Sequence, residues 1–204
     1  MIIMFITFEG GEGSGKTSLI KEVESFFKKQ NKKVFLTREP GGSFVAEQIR
    51  NIILDNKNEM SPKTEALLFA ASRVEHLETV ILKKLAEGYL VLCDRFIDSS
   101  LAYQGYARGL GFEEVLKINH FASKNMPDYT IYIDSDPQEG LKRALKREKA
   151  NRLDKESLLF HEKVKAGYQI LIKKYPQRYL VVNGQGTMEE LIADTLMKLK
   201  EIFL

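Results

Sequence analysis

The chain has 204 residues, 44% of them hydrophobic and 29% charged, which suits one domain with a substantial core and excludes a disordered or fibrous chain. Its 31 basic and 28 acidic side chains leave a net charge of +3, which calls for neither nucleic acid nor a membrane surface as partner and suits small phosphorylated molecules. A lone cysteine, Cys93, excludes an intramolecular disulfide and points to a reducing, cytoplasmic setting, and no apolar run reaches the roughly 18 residues of a membrane span.

The first apolar run, "MIIMFITF", lacks a basic leader and runs into glycines, so it predicts a strand over 2–8 rather than a signal peptide. Further strands are predicted at 33–38, 89–94, 129–134 and 179–183. Each is a short, nearly continuous apolar run, the pattern of a strand covered on both faces. Cys93, inside "YLVLCD", is expected as a small buried strand residue. Helical patterns occupy 16–30, 44–55, 63–87, 112–124, 137–147, 157–174 and 188–203. The alternation predicts an α/β fold: a five-stranded parallel sheet flanked by helices on both faces, in one domain over 1–204. In such sheets the chemistry gathers at the carboxyl ends of the strands. The segments that follow the predicted strands are "EGGEGSGKT", "REPGG", "DRFIDSS", "DSDP" and "NGQG".

Gly10 to Thr17 fits G-x-x-x-x-G-K-[ST] between a strand and a helix, the context of a phosphate-binding loop. Gly10, Gly11, Gly13 and Gly15 let backbone N–H groups turn inward around phosphate oxygens, and the helix start at Thr17 and Ser18 adds partial positive charge. Glu12 and Ser14 complete the loop. Lys16 would reach the β- and γ-phosphates of ATP, and the Thr17 hydroxyl would ligate Mg²⁺. A guanine-nucleotide reading fails. "NKNE" at 56–59 ends in Glu59 and follows a helix, so it is expected as a solvated helix end. The acid at Glu12 is unusual, because a carboxylate there faces the anion the loop is built to hold.

At the end of the third strand, Asp94 can hold the waters of Mg²⁺, and Arg95 can hold an anionic acceptor or the transferring phosphoryl group. In "LLFAASR", Phe69 and Arg73 are four apart and share a helix face, a ring and a guanidinium suited to a planar base.

"REPGG" at 38–42, "DRF" at 94–96, "AYQG" at 102–105 and a phosphate loop with an internal acid together resemble the bacterial thymidylate kinases, phosphate-loop kinases that transfer the γ-phosphoryl of ATP to dTMP. The resemblance covers almost the whole chain. It implies that Phe69 stacks on thymine, Arg73 hydrogen-bonds its O4 edge and Ser100 faces the base's polar edge. Tyr103 would close against the sugar and exclude a 2′-hydroxyl, with Gln104 beside it. Arg38 and Arg95 would grip the monophosphate, and Glu12 would bind the sugar 3′-hydroxyl. Gly13, in place of a loop arginine, is similar to the form that supplies its catalytic arginine from a short mobile lid, here about 146–157. Arg152 matches that arginine and Arg147 the one that packs on adenine. Asn151 departs from the aspartate usual before this arginine. The resemblance also implies a homodimer packed through helices. Two other functions remain open on the residues alone: a kinase for another monophosphate, and an ATP-binding module without an acceptor.

Overall fold

A computed structural model describes residues 4–146 and 150–203. Strands β1 (Met4–Gly10), β2 (Val34–Arg38), β3 (Leu90–Asp94), β4 (Tyr129–Asp134) and β5 (Tyr179–Asn183) form one sheet in the order β2-β3-β1-β4-β5. Every neighbouring pair is parallel. The helices are α1 (Lys16–Lys29), α2 (Phe44–Leu54), α3 (Pro62–His76), α4 (Leu82–Ala86), α5 (Ile97–Ser100), α6 (Phe112–Ile118), α7 (Pro137–Leu145), α8 (Leu158–Lys174) and α9 (Met188–Phe203). A π-helical turn, Leu77–Ile81, joins α3 to α4, and another, Leu101–Ala107, extends α5.

The central strand shows why helices cover both faces. Ile6 and Phe8 join Leu19, Val23 and Phe27 of α1 and Leu191 and Leu199 of α9 in one core. Phe5 points the other way, into a second core with Phe96, Tyr103, Val164 and Tyr168. A period of two in an apolar strand therefore serves two layers and leaves no face to water. Cys93 lies in the second layer, fully buried, and burial pushes its thiol pKa well up. Among the described residues five helices start on side-chain caps, α9 on Thr187, which accepts from the Glu190 N–H, and four others likewise. Ser43, Ser61, Asp136 and Ser157 accept from the backbone N–H groups of Ala46, Thr64, Glu139 and Phe160.

All five predicted strands are present within a residue or two of their expected bounds, over the described residues. Two helical expectations need correction. The segment 112–124 is not one helix: α6 stops at Ile118, and a separate 3₁₀ turn covers Ala122–Asn125. Asn119 makes the break, because its side chain is drawn inward, accepting from Arg73 and donating to the Val115 carbonyl. The helix over 97–107 falls where no element was expected. Residues 97–105 are all buried, and tertiary packing overrides the weak local preference. The parallel register sets Phe8, Arg38 and Asp94 side by side, so the segments after β1, β2 and β3 meet at one edge of the sheet.

Candidate active site

The phosphate loop leaves β1 at Gly10 and enters α1 at Lys16. Gly13 (φ +63°) and Gly15 (φ +95°) occupy the left-handed region open to glycine. Gly13 has a second constraint: a Cβ there would lie 2.1 Å from the carbonyl oxygen of Gly140 on α7. The loop and α7 therefore touch backbone to backbone. Lys16 Nζ donates to the carbonyls of Gly10 (3.1 Å) and Gly11 (2.8 Å) and to Ser14 Oγ (3.3 Å). Burial, then the Arg95 guanidinium, lower its pKa to about 8 against the pull of Asp94, Glu12 and Glu9.

Thr17 Oγ1 donates to Asp94 Oδ2 at 3.4 Å. Asp94 Oδ1 is buried and has no hydrogen-bond partner among the described residues. Two hard oxygen donors beside a phosphate loop, one of them unsatisfied, fit Mg²⁺, which takes few protein ligands and keeps several waters.

Arg95 follows Asp94 with φ +72°, a left-handed conformation costly for a non-glycine residue. That turn swings its side chain back over the loop. Nη1 donates to the Gly10 carbonyl (3.1 Å) and Ser99 Oγ (3.1 Å), and Nη2 to Glu12 Oε1 (2.7 Å). The turn is held by Glu9, a fully buried carboxylate on β1. It accepts from Phe96 N–H (2.7 Å), Ser99 (2.6 Å) and Tyr168 (2.7 Å). Burial, then the neighbouring Asp98, raise its pKa to about 7 against Arg95 and the two hydroxyls.

Glu12 Oε1 also accepts from the Tyr103 hydroxyl at 2.9 Å. Its Oε2 has no partner among the described residues. Burial alone would raise the Glu12 pKa, but Arg95, Lys16 and the Tyr103 hydroxyl outweigh it and hold the group down at about 2. The acid in the loop is thus an ionised carboxylate with one oxygen tied down and one to offer.

A cavity of about 570 Å³ runs from the phosphate loop, residues 12–18, to Phe69, Ser100, Tyr103 and Gln104, with Arg38, Arg50 and Arg95 between. Arg38 is exposed and paired with Glu47 (3.0 and 3.1 Å). Arg50 donates to the Pro40 carbonyl at 2.6 Å.

The structure corrects two placements. Arg73 does not line the cavity. It is 1% exposed and spends Nε on Glu39 (2.7 Å), Nη1 on Ser100 (3.0 Å) and Asn119 (2.6 Å), and Nη2 on the Phe96 carbonyl (3.1 Å). Only one of its five N–H donors is left over. It stands behind Ser100, to which it donates. Arg152 also turns away. It donates to the Ile53 carbonyl (3.0 Å) and pairs with Glu65 (2.7 Å), so it is not at the phosphate loop. Its neighbours Asn151 and Leu153 do line the cavity, and Leu153 packs with Ile53 and Phe69. Asn151 accepts from the N–H groups of Leu153 (2.9 Å) and Asp154 (3.3 Å), a role an aspartate would fill equally. Arg147 lies outside the described residues.

Sequence reasoning passed over Arg50, Arg143, Glu9 and Glu65. Arg143 lines the cavity one turn beyond Gly140 on α7. Its signal was proximity to "DSDP". Glu9 carried one too, a carboxylate at a core-facing strand position. Arg50 and Glu65 had none, since solvated charges on helices are the rule.

The thymidylate kinase family model matches residues 8–194. Thymidylate kinase of Bacillus velezensis is 52% identical over 203 residues, covering 97% of this chain and 95% of that protein. Thymidylate kinase of Clostridium novyi is 49% identical over 194 residues, covering 93% and 95%. A crystal structure of thymidylate kinase from Ehrlichia chaffeensis superposes with a TM-score of 0.78 at 32% identity over 98% of each chain. Fold, loop and cavity agree with these likenesses, and the chain belongs to the thymidylate kinase family.

Proposed function

We propose that this chain transfers the γ-phosphoryl group of ATP to dTMP, giving dTDP and ADP for dTTP synthesis. The observation that carries the reading is one cavity whose two ends are a phosphate loop and an aromatic-walled pocket, with Glu12 between them. Lys16 and the loop N–H groups bind the donor phosphates. Arg38, Arg50 and Arg95 receive the acceptor monophosphate, Phe69 stacks on the base, and Glu12 Oε2 accepts from the sugar 3′-hydroxyl. Ser100 and Gln104 face the base, and Arg73 supports Ser100 from behind. Tyr103 closes the space where a 2′-hydroxyl would sit. Mg²⁺ at Thr17 and, through water, Asp94 would supply charge neutralisation and orientation of the donor phosphates.

The step is in-line. A 5′-phosphate oxygen of dTMP bonds to the γ-phosphorus while the bond to the bridging oxygen breaks, and ADP leaves with that electron pair. No general base is needed, because the attacking oxygen is already anionic. Charge on the transferring group is met by Lys16, Arg95 and Arg143, with Arg147 left to adenine. Arg152 acts at the acceptor wall. A cytoplasmic homodimer fits the reading, since α2 and α3 carry exposed Phe44, Val45, Ile52 and Leu67.

ADP release measured over a panel of monophosphates tests the proposal. dTMP should be turned over far better than UMP, CMP or AMP. Equal turnover of dTMP and CMP would overturn it.

A further inference from the structure

Glu65 touches neither end of the cavity, yet it is a carboxylate buried to 1% exposure with a ring of donors around it. Oε1 accepts from Gln104 Nε2 (2.9 Å) and Arg108 Nε (3.2 Å), and Oε2 from Arg108 Nη2 (3.1 Å) and pairs with Arg152 Nη2 (2.7 Å). Arg108 is fixed in turn by Glu156 (2.5 Å) and by its position 4.4 Å over the Phe160 ring. We propose that Glu65 dictates which end of the Gln104 amide faces the acceptor base, and so makes the pocket select a base that carries a ring N–H. The inference rests on the function proposed above and names how that site discriminates among pyrimidines.

An ionised carboxylate only accepts hydrogen bonds. Two guanidinium groups face Glu65. Although burial alone would raise its pKa, the bonds from Arg108, Gln104 and Arg152 bring it below the ordinary carboxylate value. The amide nitrogen of Gln104 must therefore turn to Glu65. Its carbonyl oxygen must turn the other way. Gln104 lines the cavity with Phe69 and Ser100, and Oε1 has no partner among the described residues. An outward carbonyl oxygen accepts from the N3–H of thymine. The N3 of cytosine presents a lone pair and meets it acceptor to acceptor. One such mismatch in a closed pocket discriminates by about 10- to 100-fold. With Gln104 free to turn over, it would discriminate little. Glu65 is a positioning residue in this scheme, since it acts only through Gln104.

The test measures kcat/KM for dTMP and dCMP with the full chain, its Glu65→Gln and Gln104→Leu variants, and the double variant. Glu65→Gln puts a group that can donate as well as accept opposite Gln104. The dTMP/dCMP ratio should fall about tenfold or more. Gln104→Leu should lower the ratio as far, and the double variant no further than either. Gln104→Leu should also lose wild-type discrimination against N3-methyl-dTMP. A merely structural Glu65 would lower both nucleotides together and keep the ratio, which would overturn the proposal, as would additive losses in the double variant. If Glu65→Gln fails to fold, Glu65→Ala takes its place, since it also removes the acceptor that fixes the Gln104 amide: a wild-type ratio overturns the proposal and a lowered one supports it. Wild-type protein that does not phosphorylate dTMP would instead overturn the proposed function. Turnover of dTMP with ratios that never move would overturn this inference alone.

Discussion

The two ends of the cavity are built in opposite ways. The donor end is one continuous segment, Gly10 to Thr17, in which glycine conformations aim the backbone and one lysine supplies charge. The acceptor end takes Phe69 from α3, Ser100, Tyr103 and Gln104 from the helix over 97–107, Arg38 from β2, Arg50 from α2 and Leu153 from beyond α7. Behind these stand Glu9, Glu65, Arg73 and Asn119, buried groups that hold the ones in front. A backbone device needs a fixed local sequence. A side-chain device needs only that distant residues arrive together, so it leaves little trace in any one stretch.

If that division governs function, the largest loss comes from the donor end. Lys16→Ala should lower kcat by about 10²- to 10³-fold, the effect of removing one preorganised charge from a transition state, and change dTMP binding only a few-fold. Single-turnover rates and equilibrium dTMP titration would separate the two. A loss under about tenfold would mean that loop N–H groups suffice without the lysine.

Glu12 sits on the border and tests how sharp it is. Glu12→Gln should weaken dTMP by roughly 10- to 150-fold, the worth of a charge-assisted hydrogen bond, and ATP little. Repeating both measurements with the 3′-deoxy analogue of dTMP closes a cycle. Additive effects would show that Glu12 does not touch the 3′-hydroxyl.

The arginines beyond β4 give a smaller contrast. Arg143→Ala should lower kcat by about tenfold or more, whereas Arg152→Ala should raise KM for dTMP roughly three- to tenfold and leave kcat nearly intact. The reverse order would mean that Arg152 leaves Glu65 and reaches the phosphates during turnover.

The mildest test is pH. Lys16, set at about 8 by burial and Arg95, loses its charge as pH rises through that value. kcat/KM for ATP should therefore fall about fourfold between pH of about 7 and about 8.5, while kcat stays level because bound phosphate restores the proton. A flat kcat/KM profile would show a lysine with an ordinary pKa.

The same division explains what could be foreseen. The sheet and its helices were legible because strands buried on both faces are short apolar runs and the helices between them are periodic. The phosphate loop was legible because its residues are contiguous. Phe69, Tyr103 and Gln104 came through motif resemblance, and the cavity does gather them. The same resemblance puts Arg73 and Arg152 at the ligand, Arg73 also because it shares a helix face with Phe69. Their partners, Glu39, Asn119 and Glu65, stand 34, 46 and, by subtraction of 65 from 152, 87 residues away. No local pattern announces a pairing at such distances.

The contact between Gly13 and Gly140 constrains the protein's history as well as its shape. A Cβ at Gly13 would meet the Gly140 carbonyl at 2.1 Å, and one at Gly140 would meet the Glu12 carbonyl at 2.3 Å. Neither position can accept any other residue while its neighbour stays put. An arginine gained in the phosphate loop at Gly13 would displace α7 and carry Arg143 away with it. The two ways of supplying a catalytic arginine, from the loop or from beyond β4, are therefore not joined by a single neutral substitution in this chain. A lineage that begins with paired glycines here inherits the second arrangement and must rebuild a helix to leave it.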